Sequence, residues 1–286
     1  MDQSLSLEAR LEQNEVVHLP VCPFALPAEE DLEFLRGQTL RTRRDKNISY
    51  NPATGRVAGF RRHGQAQAER LRHVMEEFAA SAERWLKQAA PRYAAGWHKD
   101  RVSFRPEEEA TRQLRHTARN DLLHADNFPS RPSGGARLLR VFANINLSQP
   151  RVWMTSDPFP RLLERYGQAV GLPAREPAGW PQRLAQNVLG LFRRQRSPYD
   201  GFMLRMHHFL KNNEQFQEKG PRRFWSFGPG SAWVVFTDSV SHAVLRGRYA
   251  LEYTFFVPAN CMLDPSQAPV ALLQRAAGVP VLRRAA

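Results

Sequence analysis

The feature that most limits how this chain can fold is a change of period near residue 100. Before it, residues 65–90, "QAQAERLRHVMEEFAASAERWLKQAA", set Leu71, Val74, Met75, Phe78 and Trp85 at helical spacing and stop at Pro91. After it the pattern is one of short strands: "RVSFRP", "DLLHAD", "RLLRVFANINL", "RVWMTS", "RFWSFGPGSAWVVFTDS" and "YALEYTFFVP". Many short strands separated by Gly/Pro turns build a barrel or a sandwich. Between them "FPRLLERYGQAV", "QRLAQNVLGLFRRQR" and "DGFMLRMHHFLKNNEQFQ" read as helices, the last capped by Asp200. The expected organisation is a mixed region over residues 1–100, with a hairpin at "NISYNPATGRVAGF" and the long helix. A strand-rich domain over 101–260, with a helical insert at about 159–219, and a tail over 261–286 follow.

At 286 residues with 42% apolar side chains, such a chain can fill a core. Its first residues are polar and acidic, and no apolar run reaches the roughly 18 residues a membrane span needs. Cys22 and Cys261 each stand alone, which suggests neither a zinc motif nor a disulfide framework. The expectation is a cytoplasmic protein. The net charge of +13, mostly arginine, favours anionic partners without choosing among nucleic acid, lipid head groups and acidic sugars, and a compositional arginine bias gives the same count. No nucleic-acid-binding module is recognisable, so nucleic acid is not the expected partner.

Candidate chemistry begins at "NDLLHADNFPSRP". His124 and Asp126, two residues apart on an extended backbone, face the same way and can hold a metal or form an ordinary ion pair. His242, in "SVSHAVLRGRYALEYTFFVP", lies 242 − 126 = 116 residues after Asp126 and comes from another strand. Two histidines and one carboxylate form the facial triad of non-heme Fe(II), which leaves positions open for a 2-oxo acid and O2. The distal carboxylate of a 2-oxoglutarate cosubstrate needs a fixed cation. Arg248 is preferred, and Arg246, of the same strand parity, remains open. Along "RVFANIN", Arg140, Phe142, Asn144 and Asn146 share one side and aliphatic residues the other, which makes Asn144 and Asn146 candidates for the cavity wall. His207 and His208, adjacent on a helix, point about 100° apart and do not share one metal.

"NDLLHADNFPSRPSGGARLLRVFANIN", "PRVWMTSDPF", "RMHHFLKNNEQFQ" and "SHAVLRGRYALEYTFFVP" together resemble the Kdo 3-hydroxylase family, and "NISYNPATG" extends the resemblance toward the N-terminus. The resemblance implies a mainly β (α+β) chain: a double-stranded β-helix, the cupin-like jelly roll, with an N-terminal helical region and a helical insert. It implies Fe(II)- and 2-oxoglutarate-dependent hydroxylation, with O2 as the other cosubstrate, at carbon 3 of 3-deoxy-D-manno-oct-2-ulosonic acid (Kdo) in Kdo-lipid A, releasing succinate and CO2. The ligand pattern falls on His124, Asp126 and His242. Kdo-lipid A is anionic, so Arg119, Arg131 and Arg140 are candidate substrate contacts, and Leu184, Val188, Leu191 and Phe192 beside Arg193, Arg194 and Arg196 can lie on the anionic inner leaflet or be buried. Two other readings stand beside it: an oxygenase of this fold acting on nucleic acid, and a non-catalytic cupin-like binding protein.

Overall fold

The computed structural model describes residues 5–172 and 196–282. Its helices are α1 (Leu7–Glu12), α2 (Glu29–Arg36), α3 (Gln65–Ala89), α4 (Pro91–Ala94), α5 (Phe159–Tyr166), α6 (Pro198–Asn212), α7 (Glu214–Lys219) and α8 (Pro269–Ala277). Its strands are β1 (Val17–Leu19), β2 (Ile48–Asn51), β3 (Arg56–Ala58), β4 (His98–Arg105), β5 (Arg137–Asn144), β6 (Arg151–Pro158), β7 (Arg223–Phe227), β8 (Ala232–Phe236), β9 (Val240–Arg246) and β10 (Ala250–Val257). They form a seven-stranded sheet in the order β1-β8-β5-β10-β4-β2-β3 and a three-stranded sheet, β7-β6-β9, with every pairing antiparallel.

Strand β5 is buried along its whole length, and its alternation explains how. Leu139, Val141 and Ala143 join the core that also holds Leu71, Val74, Met75 and Phe78 of α3, so the long helix covers one face of the large sheet. Phe142, of opposite parity, joins Trp153, Trp225, Phe227, Trp233 and Val244 in a second core drawn from both sheets. There the rings of Phe227 and Trp233 stack at 4.0 Å, Trp233 stacks on Phe142 at 5.0 Å, and Trp153 meets Phe142 edge-on at 4.9 Å. The aromatic layer wedges the sheets together at one end and leaves the other end to open as a cavity.

Three expectations change on contact with the structure. "DLLHAD" is not a strand: His124 makes one isolated antiparallel bridge with His242 of β9, because the segment is held at single points. Helix α6 is capped by Ser197, whose hydroxyl accepts from the Asp200 amide at 3.0 Å. Asp200 sits three residues in, and its carboxylate accepts instead from the amides of Ser133 and Gly134. Residues 261–282, expected as a tail, carry α8, which buries Val270 and Leu273, and end with Val281 buried. Of the candidate helix at 182–196, residues 182–195, with Leu184, Val188, Leu191, Phe192, Arg193 and Arg194, lie outside the described residues, and Arg196 donates to the Pro129 carbonyl at 2.7 Å.

Removing one ring of the wedge tests its weight. Phe227→Ala, at a fully buried position, is expected to lower unfolding free energy by roughly 3–5 kcal/mol in denaturant titration. A loss below about 1 kcal/mol shows that the stack is not what joins the sheets.

Candidate metal centre and its cavity

Backbone pairing brings the three candidate ligands together. His124 and His242 exchange amide and carbonyl bonds at 3.0 and 2.9 Å, and the Asp126 amide donates to the Thr237 carbonyl at 2.7 Å, in the turn between β8 and β9. The donor atoms of His124, Asp126 and His242 all lie within 4.8 Å of one another, and all three residues are buried. Both imidazoles are oriented by the same local device: Nδ1 of His124 bonds the Leu122 carbonyl at 2.7 Å, and Nδ1 of His242 bonds the Val240 carbonyl at 2.9 Å. A ring whose Nδ1–H is given to a carbonyl presents Nε2 as a lone-pair donor. The two Nε2 atoms lie 3.5 and 3.9 Å from the Asp126 carboxylate oxygens.

The electrostatics suit a cation. Burial lowers the pKa of His124 and brings that of His242 down to about 4, which keeps both rings neutral at neutral pH. Burial works against the Asp126 anion, yet the Arg140 guanidinium beside it holds its carboxyl well below the usual range. Arg140 Nη1 lies 2.9 Å from Asp126 Oδ2, but that oxygen has no aligned hydrogen bond. Two neutral nitrogens and one under-satisfied carboxylate are the donors that a divalent first-row metal takes.

These ligands open onto a cavity of about 340 Å³ between the sheets. Trp153 of β6 stacks on the His242 ring at 5.0 Å and, with Phe142 and Val244, gives it an apolar side. Its floor is ionic. Arg140 Nη2 reaches Glu252 at 3.3 Å, Arg105 Nε donates to Glu252 at 2.8 Å, and Glu109 lies 3.7 Å from Arg105 and 3.5 Å from Arg151. Arg151 is 1% exposed; its Nη1 donates to the Gly247 carbonyl at 2.8 Å, while its Nε has no partner. Gly247 has φ +113°, and a Cβ there would stand 2.8 Å from the Arg151 backbone, so only glycine lets the β9–β10 turn approach this closely.

The positions read from sequence divide accordingly. His124, Asp126, His242, Arg131 and Arg140 line the cavity; Asn144, Asn146, Arg119, Arg246 and Arg248 do not. Asn144 has the parity of Arg140 and Phe142 but lies past the cavity's end, where its amide donates to the carbonyls of Gln149 and Phe227 and its oxygen accepts from Asn146. Asn146 closes the same turn by accepting from Ser148 and Gln149. Arg119 is engaged by Asp121. Arg246, the last residue of β9, is exposed. Arg248 belongs to a turn and not to a strand, since Tyr249 beside it has φ +62°; its guanidinium stacks on the Tyr249 ring, and Nε donates to the Pro106 carbonyl at 3.3 Å.

The cavity residues missed in the sequence are Arg151, Arg105, Glu252, Trp153 and Lys46, together with His207, whose Nδ1 bonds the Ala125 carbonyl at 2.8 Å. Two of them left a signal. Glu252 and Thr254 are polar at alternate positions of the otherwise apolar "ALEYTFFV", and Arg151 alternates with Trp153 in "RVWMTS".

A model of the 3-deoxy-D-manno-oct-2-ulosonic acid (Kdo) hydroxylase family matches residues 2–280. The chain belongs to the Kdo hydroxylase family. No curated protein matches it. Among solved structures it is similar to the Kdo hydroxylase KdoO, described as a non-heme Fe(II) alphaketoglutarate-dependent dioxygenase. The apo form is 32% identical with a TM-score of 0.84, over 96% of this chain and 90% of that one. The complex with alphaketoglutarate and Fe(III) is 32% identical with a TM-score of 0.83, over 96% and 90%. The cobalt(II) complex is 32% identical with a TM-score of 0.85, over 98% and 91%. The fold is thus the jelly roll of that enzyme.

Arg140 bridges Asp126 and Glu252, so Arg140→Met leaves the buried Asp126 without its cation and Glu252 with Arg105 alone. Loss of about 3–5 kcal/mol of stability is expected in chemical denaturation, the cost of breaking a buried pair. A near-neutral result means that the carboxylates are paired by other groups.

Proposed function

We propose that His124, Asp126 and His242 hold the Fe(II) with which this Kdo hydroxylase works, and that Arg151, backed by Arg105, receives the far carboxylate of 2-oxoglutarate. The acceptor position is carbon 3 of Kdo in Kdo-lipid A, with succinate and CO2 as coproducts. The observation that carries the reading is the convergence of two neutral imidazoles and one anionic carboxylate on a cavity whose floor holds a buried guanidinium with an unused donor. Bound there, Fe(II) supplies O2 activation driven by decarboxylation of the 2-oxo acid.

The chain's own residues do the remaining work. Arg140 keeps Asp126 ionised, and the Leu122 and Val240 carbonyls hold both imidazoles with Nε2 inward. Trp153 and Phe142 keep water from one side of the site. Arg151 Nε lacks a partner, whereas Arg105 Nε is committed to Glu252; the planar fork of Arg151 fits a carboxylate at the floor. Among the described residues no helix is long and apolar enough to cross a membrane. The excess of 41 basic over 28 acidic residues supports peripheral contact with the anionic leaflet that carries a lipid-linked acceptor. Binding to anionic vesicles is then expected to fall as salt rises, and neutral vesicles to bind poorly in a sedimentation assay.

His124→Ala, Asp126→Ala and His242→Ala are each expected to abolish oxygen insertion into Kdo-lipid A, read by mass spectrometry, with the circular dichroism spectrum retained. Normal iron affinity and turnover in any one of them excludes that residue as a ligand.

Arg151→Ala is expected to raise the 2-oxoglutarate KM at least about tenfold, with Arg151→Lys recovering part of the loss because lysine keeps the charge without the fork. Arg248→Ala is expected to stay near wild type. The opposite order moves the cosubstrate site to the β9–β10 turn.

A further inference from the structure

The charges paired with one another around the cavity cancel. Arg105, Arg140 and Arg151 stand against Asp126, Glu109 and Glu252, and a divalent metal with a dianionic 2-oxo acid adds equal and opposite charge. Two lysines stand outside this balance: Lys211, buried, gives its ammonium to the Thr117 and Arg119 carbonyls and does not line the cavity, and the other is Lys46. Lys46 lines the same cavity beside Asn47 and Ser49, and among the described residues it has no carboxylate within ion-pair distance and no side-chain hydrogen bond. It is solvent-accessible, as a group at a mouth must be, yet the protein packed around its ammonium lowers its pKa, burial first, and Arg105 adds to the effect. Asp126 and Glu109 pull the other way, so the ammonium feels the charges of both metal site and floor.

Its position is fixed from outside the cavity. Arg112 donates from Nη1 to the Lys46 carbonyl at 3.0 Å and from Nη2 to the Asp45 carbonyl at 2.7 Å, pinning the loop that leads into β2. The other cations toward the mouth are less suited to a ligand. Arg131 is paired with Asp100 and lies over the Phe128 ring, and Arg101 is exposed at the rim, two residues before Ser103 on β4.

We infer that Lys46 binds the ionised carboxylate of the octulosonic acid and so orients the sugar for hydroxylation. The inference rests on the function proposed above. An octulosonic acid carries its carboxylate on carbon 2, the neighbour of carbon 3. The group that grips the carboxylate therefore sets how carbon 3 faces the metal site. A neutral sugar in the same place would leave the ammonium desolvated and unpaired, which makes Lys46 a filter against uncharged sugars as well as a handle. Lysine suits a position at the mouth: a compact charge on a flexible stem follows one carboxylate oxygen without demanding a planar fork.

The test uses the full chain with Fe(II), and as acceptors Kdo-lipid A and its Kdo methyl ester in detergent micelles. In the wild type the ester is expected to have a KM at least about tenfold higher, the scale of one charge-assisted hydrogen bond. Lys46→Met is expected to raise the KM for the free acid by a similar factor and to abolish the preference over the ester, and Lys46→Arg to restore part of it. The 2-oxoglutarate KM of Lys46→Met should move less than twofold, and calorimetry should show free Kdo binding the metal-free variant correspondingly more weakly. Arg101→Ala should keep the wild-type preference for the free acid. The inference is overturned if Lys46→Met keeps the preference, if its 2-oxoglutarate KM rises instead, or if Arg101→Ala is the variant that loses the preference. A wild type that turns 2-oxoglutarate into succinate yet oxidises neither acceptor overturns the proposed function itself, a result distinct from all of these.

Discussion

Asp126 is buried, and a buried carboxylate persists as an anion only with a cation against it. Here the cation is Arg140, which must itself be neutralised on its other side, and so the requirement passes inward: Arg140 to Glu252, Glu252 to Arg105, Arg105 to Glu109, Glu109 to Arg151. Each member would be expensive to bury alone. Linked, they form a strip of alternating charge from the metal ligands to the floor, contributed by β4, β5, β6, β10 and the turn after β4. Because consecutive members come from different strands, the register of the large sheet is tied to the chemistry: Glu252 is paired across to Ser103 and Phe142, and Thr254 to Arg140. A slip of one residue would send these ions into the aliphatic face that packs on α3.

The aromatic wedge complements this strip. It gives one side of the cavity a dry wall, and it braces a ligand, since the Trp153 ring lies against His242 on one face while its edge meets Phe142. The ligand-bearing segment needs no strand of its own. Backbone bonds to Val244, His242 and Thr237, the Gln217 side chain across Leu123 and His207 on the Ala125 carbonyl hold it, and the bonds to His242 and Thr237 place one candidate ligand against β9 and the next against the turn before β9.

How much of this the sequence disclosed depends on the range of the interaction. The candidate metal set is legible because His124 and Asp126 are two apart and the type of chemistry is written in the residue types. The long helix was legible from its apolar period, and the β2–β3 hairpin from Asn-Pro and Thr-Gly. The arginine proposed for the cosubstrate is not, because what sets Arg151 apart from Arg248 is burial and one donor without a partner, both consequences of strand pairing between residues about a hundred positions apart. Asn144 shows the limit of parity: alternation tells which face a side chain takes, but the length of the cavity along that face is set by where the β5–β6 turn closes over it. Asp200 failed for a shorter-range reason, since Ser197 and Asp200 form a reciprocal cap in which either residue alone looks like the start of the helix.

The turn at Gly247 has a bearing on traffic through the site. Its amide donates to Glu108 at 2.6 Å and its carbonyl accepts from Arg151, so the far end of the cavity is sealed by backbone and buried charge. A molecule seated on the floor can then leave only past whatever occupies the mouth. With the cosubstrate on that floor, as proposed, such a cul-de-sac would impose a queue: the small dicarboxylate would enter ahead of the bulky glycolipid, and succinate would wait behind the hydroxylated sugar.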